Sequence, residues 1–187
     1  MPPEPLKILT VCTHNRTRSV MSMAMIQAGL DQRLGAGRAL VRSAGFGPEG
    51  MPPIPDAVDA MRRRGLDVSE HASRKVTAKR VDAADLILTS EKDHVVKIAA
   101  ESPPAYRRAF TLPEFCDRVA TDPLADGRTL FEWACDLSGD RRTSDYLRSD
   151  VPEVADPTGS TRRQFEAATE GIEALCDTVV GVISRSF

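Results

Sequence analysis

The sequence predicts an α/β fold in which a four-stranded parallel sheet carries helices on both faces, in three layers. Short apolar runs of strand length alternate with segments whose apolar residues recur every three or four positions. Alternating strands and helices favour parallel strands joined by helical crossovers. No repeat or low-complexity linker divides the 187 residues, so we expect residues 1–187 to form a single domain.

The four predicted strands are compact apolar runs that read as buried on both faces. They lie at residues 6–11, 39–43, 85–89 and 106–112. The first of them is followed directly by a polar loop that begins at Cys12. In an open parallel sheet, ligands bind at the carboxyl ends of the strands, so this loop is where we expect a site.

The predicted helices follow the strands. The first begins at Ser19 and ends near Gly29 or at the Gly35/Gly37 pair; two others cover residues 54–64 and 91–100. The C-terminal helix has the clearest apolar stripe, formed by Phe165, Ala168, Ile172, Leu175, Val179 and Ile183. Residues 114–150 are mixed and polar, and we expect an extra segment of one or two surface helices joined by loops.

Charge and composition exclude several classes of function. The formal net charge is −2 and the pI is about 6.0, whereas nucleic-acid-binding domains usually carry an excess of Lys and Arg. No apolar run approaches the roughly 20 residues that span a bilayer, so we expect no membrane association. Residues 1–5 lack the basic and apolar regions of a signal peptide and read as a disordered lead-in.

The cysteines and histidines indicate neither disulfides nor a metal. Wide spacing and no secretion signal favour reduced thiols and a cytoplasmic location; the cysteines are Cys12, Cys116, Cys135 and Cys176. The histidines are scattered, and none stands at zinc-ligand spacing from a cysteine. We expect no metal or cofactor. His94 reads as an exposed residue of a surface helix.

An anion-binding loop, called the anion loop below, is predicted at residues 12–19. It joins a buried strand to a helix N-terminus, where free N–H groups attract anions. Arg18 lies six residues after Cys12, so a tight loop can fold its planar guanidinium back to meet two phosphate oxygens. A helix N-terminus and an arginine also favour the nucleophilic thiolate. We therefore predict that Cys12 attacks a tetrahedral oxyanion.

At these residues the sequence resembles the low-molecular-weight protein tyrosine phosphatases. The similarity runs in the family's order through Val11-Cys12-x5-Arg18-Ser19, Ser43-Ala44-Gly45, residues 65–71, residues 82–89 and Asp156-Pro157 before the last helix. The resemblance implies a flavodoxin-like fold and hydrolysis of phosphotyrosine-type phosphomonoesters through a cysteinyl-phosphate intermediate, without a cofactor. It also implies a phosphorylated protein or a small phosphomonoester as partner, and a tyrosine kinase as counterpart.

The resemblance implies roles for the matched residues. Cys12 would attack phosphorus, Arg18 would bind phosphoryl oxygens, and Asp156 would act as general acid and then general base. Ser43 and His71 would support the loop. Substrate binding would fall to the other loop residues, Thr13, His14, Asn15 in a left-handed conformation, Arg16, Thr17 and Ser19, of which Ser19 would also donate to the thiolate.

Several positions depart from the family pattern. His14 stands at a position that is usually Gly, Arg16 at a usually apolar one, Thr17 at a frequent Cys, and Val20 at a usual Pro. Thr158 replaces a common aromatic residue, and Phe131, Trp133 or Tyr146 is the candidate to wall the pocket instead. A second Asp-Pro pair, Asp122-Pro123, competes with Asp156, which we prefer because it directly precedes the C-terminal helix.

Two alternative functions are compatible with the same residues. Arsenate mimics phosphate, so Cys12 can serve an arsenate reductase that uses an external thiol, whereas a thioredoxin-dependent form lacks its additional nearby cysteines. A non-catalytic phosphate-binding module is the other alternative, motivated by His14, Arg16 and Val20. Binding alone needs neither a nucleophile nor an acid, which favours the phosphatase. The oligomeric state is open.

Overall fold

Four parallel strands form one sheet in the order β2-β1-β3-β4. A computed structural model describes residues 4–121, 127–139 and 141–186. The strands are β1 (Leu6–Cys12), β2 (Ala39–Gly45), β3 (Leu86–Thr89) and β4 (Ala109–Thr111). The predicted four-stranded parallel sheet is confirmed.

The helices follow the strands in the order that the sequence predicts. They are α1 (Arg18–Leu34), α2 (Pro55–Arg63), α3 (Ala78–Asp82), α4 (Lys92–Glu101), α5 (Leu112–Thr121), α6 (Leu130–Leu137), α7 (Thr143–Tyr146) and α8 (Arg162–Ser186), with a 3-10 helix at Pro103–Arg108. Helix α1 runs to the Gly35 end rather than stopping at Gly29, and Gly35 takes a positive φ of 94° there. None of the helices in the described ranges combines the length and the apolarity needed to cross a bilayer.

Each strand contributes side chains to two hydrophobic cores, one on each face of the sheet. On one face, Ile8 and Leu88 pack in a cluster with residues of α1 and α8 such as Ile26 and Val179. On the other face, Leu9, Val11 and Ile87 pack with Val95 and Ile98 of α4 and with Val81 of α3. Helices on both faces explain why the strand sequences are almost continuously apolar.

The fourth strand is shorter than predicted, and the prediction that it begins at residue 106 is wrong. Residues 103–108 form the 3-10 helix instead, and β4 starts at Ala109. Pro103 and Pro104 favour a helical start because their fixed φ fits it and their missing N–H would have no partner there. The buried Arg108 then donates from Nε to the Ala84 carbonyl, 2.9 Å away, which holds this turn against the sheet.

Helices α5 and α6 of the segment at 114–150 pack into the core, so the expectation of surface helices is wrong for these two. Trp133 of α6 is fully buried and packs edge-on against Phe115 of α5, with ring centroids 5.6 Å apart. Thr129 and Glu132 form a reciprocal capping box at the start of α6. Residues 122–126, which include Asp122 and Pro123, lie outside the described residues.

Candidate active site

The Cys12 thiol lies at the carboxyl end of the central strand β1, at the bottom of the anion loop. Its side chain is 3% exposed. Cys12 Sγ lies 3.0 Å from Ser19 Oγ, and the Asn15 backbone N–H donates to Sγ at 3.2 Å. Hydroxyl and amide donors at a sulfur stabilise its thiolate form, which suits Cys12 to nucleophilic chemistry.

Asn15 ties the anion loop to its surroundings through every polar group of its side chain. It is fully buried and takes a φ of +55°, the left-handed conformation expected from the resemblance. Its Nδ2 donates to Ser19 Oγ at 2.9 Å, and its Oδ1 accepts from the Arg74 N–H at 2.8 Å. His71 Nε2 lies 3.1 Å from the Asn15 carbonyl oxygen, so His71 contacts the loop.

Gly45, at the end of β2, lets the anion loop approach the neighbouring strand. A Cβ at this position would lie 2.7 Å from the Asn15 nitrogen and 2.8 Å from the Cys12 carbonyl oxygen, both of them backbone atoms. Beyond Gly45, the N–H groups of Phe46 and Gly47 donate to the Thr13 carbonyl at 2.7 and 2.9 Å. The loop is therefore fixed by backbone contacts that a side chain at residue 45 would disrupt.

Arg18 is almost fully buried, with 3% exposure, and is held by two carboxylates. Its Nη1 donates to Glu91 Oε1 at 2.6 Å and to the Val154 carbonyl at 2.9 Å, and its Nη2 donates to Asp156 Oδ2 at 3.0 Å. Its Nε is buried and has no hydrogen-bond partner among the described residues. A buried guanidinium N–H without an acceptor is costly, and an anion bound in the loop would satisfy it.

The N-terminal end of α1 is left open to an anion. Thr17 stands at the N-cap position, but its side chain makes no capping hydrogen bond; its Oγ1 lies 3.3 Å from Thr158 Oγ1 instead. Within the described residues, the N–H groups of His14, Arg16 and Thr17 donate to no protein acceptor. Converging free amides at a helix N-terminus form an anion site.

Asp156 reaches the same site from the opposite end of the chain. Its Oδ1 accepts from the Thr158 N–H at 3.0 Å, in addition to the Oδ2 contact with Arg18. Partial burial raises the pKa of Asp156, but the hydrogen bonds from Thr158 and the charges of Arg18 and His14 together lower it by more. The net pKa of Asp156 therefore lies below its usual value. The carboxylate is thus ionised at neutral pH when the loop holds no anion.

Two of the predicted binding residues lie at the rim. His14 is exposed and packs over Gly47, where an added Cβ would come within 2.9 Å of the imidazole. Arg16 Nε donates to the Pro52 carbonyl at 2.7 Å, which turns its guanidinium toward the loop at residues 45–54. Both side chains therefore border the entrance of the anion loop.

Ser43 does not make the supporting hydrogen bond that the resemblance implies. Its hydroxyl is buried without a partner among the described residues. The neighbouring Thr10 on β1 makes such a contact, because its Oγ1 donates to the Ser19 carbonyl at 2.8 Å. Thr10 was missed because a threonine inside a strand reads as an ordinary β-branched residue.

Two further site residues were missed by sequence reasoning. Glu91 pairs with Arg18, and His94, expected to be exposed, is 1% exposed with its Nε2 3.2 Å from Thr13 Oγ1. The prediction for His94 is therefore wrong. Both residues follow β3, so the available signal was their place after the carboxyl end of a strand next to β1.

The aromatic residue beside the anion loop is Phe46, rather than one of the three candidates in the extra segment. Its ring stacks on His94, with centroids 5.5 Å apart and an interplanar angle of 23°. Trp133 lies in the core, Tyr146 is buried against Tyr106, and Phe131 lies under the Arg108 guanidinium.

The four cysteines are free, and the described ranges contain no group of three or more His, Cys, Asp or Glu side chains arranged to hold a metal ion. Burial raises the pKa of Cys116 to about 12 and raises that of Cys176 still further. These thiols are inert packing groups at neutral pH.

The fold and the site together define the class of α/β phosphatases that use a cysteine nucleophile. A model of the family described as low molecular weight phosphotyrosine protein phosphatase matches residues 7–143. The chain belongs to this family. The match ends before Asp156, so the role of Asp156 stays a prediction.

Relatives of two kinds are similar to the chain. A probable low molecular weight protein-tyrosine-phosphatase EpsP of Ralstonia nicotianae is 34% identical over 131 residues, 70% of this chain and 86% of the relative. A protein-arginine-phosphatase of Bacillus subtilis is 32% identical over 159 residues, 84% of this chain and all of the relative. The solved YwlE arginine phosphatase of Geobacillus stearothermophilus aligns with a TM-score of 0.71 at 25% identity, covering 97% of this chain and 94% of that one. These names favour phosphatase activity over the arsenate reductase and binding-module alternatives.

Proposed function

We propose that the chain hydrolyses phosphorylated side chains of proteins, with phosphotyrosine as the first candidate, and that Cys12, Arg18 and Asp156 carry out the reaction. The observation that carries this proposal is the buried Nε of Arg18, which has no hydrogen-bond partner among the described residues and belongs to the same loop as the Cys12 thiol. It supports a site that is completed by an anionic group next to a nucleophile.

In the first step, the Cys12 thiolate attacks phosphorus. The Sγ–P bond forms as the bond from phosphorus to the ester oxygen breaks, and Asp156 gives its proton to the departing oxygen. Arg18 and the free amides of His14, Arg16 and Thr17 hold the remaining phosphoryl oxygens, whose negative charge they stabilise. The product of this step is cysteinyl phosphate and the free hydroxyl compound.

In the second step, water replaces the sulfur. Asp156, now ionised, takes a proton from the attacking water; the O–P bond forms and the Sγ–P bond breaks. The Ser19 hydroxyl, 3.0 Å from Sγ, donates to the departing thiolate and makes it a better leaving group. Inorganic phosphate is released and the thiolate is restored.

The proton needed in the first step depends on the substrate. Without an anion, the pKa of Asp156 is held below its usual value. An arriving phosphoryl dianion draws Arg18 Nη2 away from Asp156 and adds negative charge beside the carboxyl group, which raises its pKa. Asp156 is therefore protonated in the complex, where the leaving oxygen needs it.

Hydrolysis of an aryl phosphate by matched variants tests the assignment. We expect Cys12→Ser to lose activity by at least about a thousandfold. Asp156→Ala should keep phosphoryl transfer to Cys12 for a good leaving group while slowing hydrolysis of the intermediate, which mass spectrometry of quenched enzyme detects as a phosphorylated Cys12 peptide. Full activity of Cys12→Ser would refute the mechanism.

A second candidate substrate is phosphoarginine. The protein-arginine-phosphatases align over a larger share of this chain than the relative from Ralstonia, 84% against 70%. Position 158 carries Thr, where no aromatic ring is available to stack on a phenol. Glu91 and Asp156, both partly exposed beside Arg18, can attract a guanidinium leaving group.

Paired peptides that differ only in phosphotyrosine or phosphoarginine decide between the two candidates. A higher kcat/KM for the phosphotyrosine peptide would support the first candidate substrate, with a tyrosine kinase as the enzyme's counterpart in the cytoplasm. A preference for phosphoarginine that is lost in Glu91→Gln would support the second.

A further inference from the structure

His94 contacts the anion loop from helix α4, yet it has no part in the chemistry above. Its ring is 1% exposed and stacks on Phe46, which fixes its orientation. Its Nε2 lies 3.2 Å from Thr13 Oγ1, and its Nδ1 is buried without a partner among the described residues. A buried imidazole with one hydroxyl contact must adopt the tautomer that its surroundings favour.

The Thr13 hydroxyl can be assigned by counting its hydrogen bonds. Arg18 Nη2 donates to Thr13 Oγ1 over 3.5 Å, which occupies one acceptor site of the oxygen. The oxygen has a second acceptor site and one proton of its own. The contact with His94 therefore uses either that second acceptor site or that proton, according to the tautomer of His94.

The unpartnered Nδ1 decides between these tautomers. A proton on Nδ1 would leave a buried N–H with no acceptor, whereas a bare Nδ1 leaves only an unused lone pair, which proteins tolerate more readily. Burial, opposed by Glu91 and reinforced by Arg18 and Lys97, lowers the pKa of His94 below its usual value, so the ring is neutral at pH 7. The favoured form thus carries its single proton on Nε2 and donates to Thr13.

We propose that His94 is a positioning residue: it donates from Nε2 to Thr13 Oγ1 and thereby turns the Thr13 hydroxyl proton toward the phosphoryl group in the anion loop. Both acceptor sites of the Thr13 oxygen are then filled, by Arg18 and His94, and its proton is left for an oxygen of the substrate. Thr13 adds a hydroxyl donor to those of the loop amides and Arg18. This inference rests on the proposed function, since it concerns the same phosphoryl site.

A double-mutant cycle on Thr13 and His94 tests the proposal. Thr13→Val removes the hydroxyl. His94→Leu removes the Nε2 donor and replaces the histidine with a side chain of similar volume. We expect each to lower kcat/KM by about tenfold, the effect of one hydrogen bond to a charged group, and the double variant to lose no more than either alone. Thr13→Ser and His94→Gln, which keep a hydroxyl and a donor near Nε2, should recover most of the activity.

His71 supplies the matched control, because it contacts the anion loop at the Asn15 carbonyl and not at Thr13. The effects of His71→Leu and Thr13→Val should multiply. Thermal unfolding of each variant identifies any that fails to fold; for a misfolded His94→Leu, the cycle is repeated with His94→Asn, whose amide is too short to reach Thr13. The proposal would be overturned if the losses of kcat/KM in Thr13→Val and His94→Leu multiply in the double variant. It would also be overturned if His94→Gln is as impaired as His94→Leu.

Binding of inorganic phosphate, measured by calorimetry on the same variants, separates this inference from the proposed function. If the wild type hydrolyses no phosphoester, but the Thr13/His94 double variant loses no more phosphate affinity than either single variant, the role of His94 is supported and the phosphatase mechanism is rejected. Turnover that depends on Cys12, with multiplying effects of Thr13 and His94, would keep the mechanism and reject the role of His94.

Discussion

The anion loop and the segment at residues 141–156 position different parts of the site, and they do so through different kinds of contact. The loop holds the thiol, the arginine and the free amides within eight consecutive residues, and its shape is fixed by Asn15 and Gly45. Asp156 lies 138 residues along the chain from Arg18, the residue that it contacts. Its position therefore depends on whatever anchors the segment before it.

A buried cluster around Arg141 is the first of these anchors. The Arg141 guanidinium donates to the Glu114 carboxylate, at 3.1 and 3.2 Å, and to the Ala109 carbonyl at 2.8 Å. It also lies 4.4 to 4.8 Å from the ring centroids of three aromatic residues, Tyr106, Phe110 and Tyr146. The Tyr146 hydroxyl donates to Glu114, and burial together with that carboxylate raises the pKa of Tyr146.

Backbone contacts continue from this cluster to Asp156. Thr111 Oγ1 donates to the Pro152 carbonyl at 2.6 Å, and the Val154 N–H donates to the Ser90 carbonyl at 2.8 Å. The Val154 carbonyl in turn accepts from Arg18. The nucleophile therefore depends on local sequence, whereas the proposed acid depends on the tertiary contacts of the segment that precedes it.

Removal of the Arg141 side chain should have the largest effect. Arg141→Met leaves the buried Glu114 with Arg118 as its one remaining ion-pair partner among the described residues, and we expect a loss of about 3 kcal/mol in the free energy of unfolding. Urea denaturation measures it, with the exposed neighbour Arg142→Met as control. A loss equal to that of the control would show that the cluster does not anchor the segment.

Substitution of the proposed acid should come next. We expect Asp156→Asn to lower kcat/KM for an alkyl phosphate by about a hundredfold, and to lower kcat/KM for an aryl phosphate with an acidic phenol much less, since that phenolate leaves without a proton. Asp150→Asn makes the same change in the same segment at an exposed position and should leave kcat/KM unaltered. Because kcat/KM reports only the steps up to departure of the leaving group, equal effects of Asp156→Asn on both substrates would contradict general acid catalysis.

A methyl group on Gly45 tests the loop side of the comparison. Gly45→Ala places Cβ against backbone atoms of the anion loop, and we expect a loss of about 1 to 3 kcal/mol in unfolding free energy together with weaker phosphate binding. Gly171→Ala in α8 meets no atom within 4 Å and should instead stabilise the protein. Unchanged phosphate affinity in Gly45→Ala would mean that the loop tolerates displacement.

The smallest expected effect is a pH dependence from His71. Burial lowers its pKa below 6.5 and the Arg74 charge adds to this, although its contact with Asn15 opposes the shift. The unfolded chain therefore binds the proton more readily, so the stability that His71 contributes is present above about pH 6.5 and is lost as pH falls. His71→Gln should reduce the loss of unfolding free energy between about pH 7.5 and about pH 5.5. The exposed His14→Gln serves as control, and a pH dependence that His71→Gln leaves unchanged would contradict this assignment.

The sheet, the anion loop and the place of Cys12 in that loop can be predicted from the sequence alone. These follow from short-range patterns: buried strands, a helix N-terminus, and a fixed spacing from Cys12 to Arg18. The local sequence is enough here, because Cys12, Asn15 and Ser19 hydrogen-bond to one another within eight consecutive residues.

The distant residues that meet the loop are set by tertiary packing. Glu91 and His94 reach it because β3 lies beside β1, and Phe46 rather than Trp133 borders it because α6 packs into the core. Asp156 reaches Arg18 because contacts far from the site hold its segment. Packing between elements is set by the burial of apolar surface and the pairing of buried charges over the whole chain, and a local pattern of residues does not contain that information.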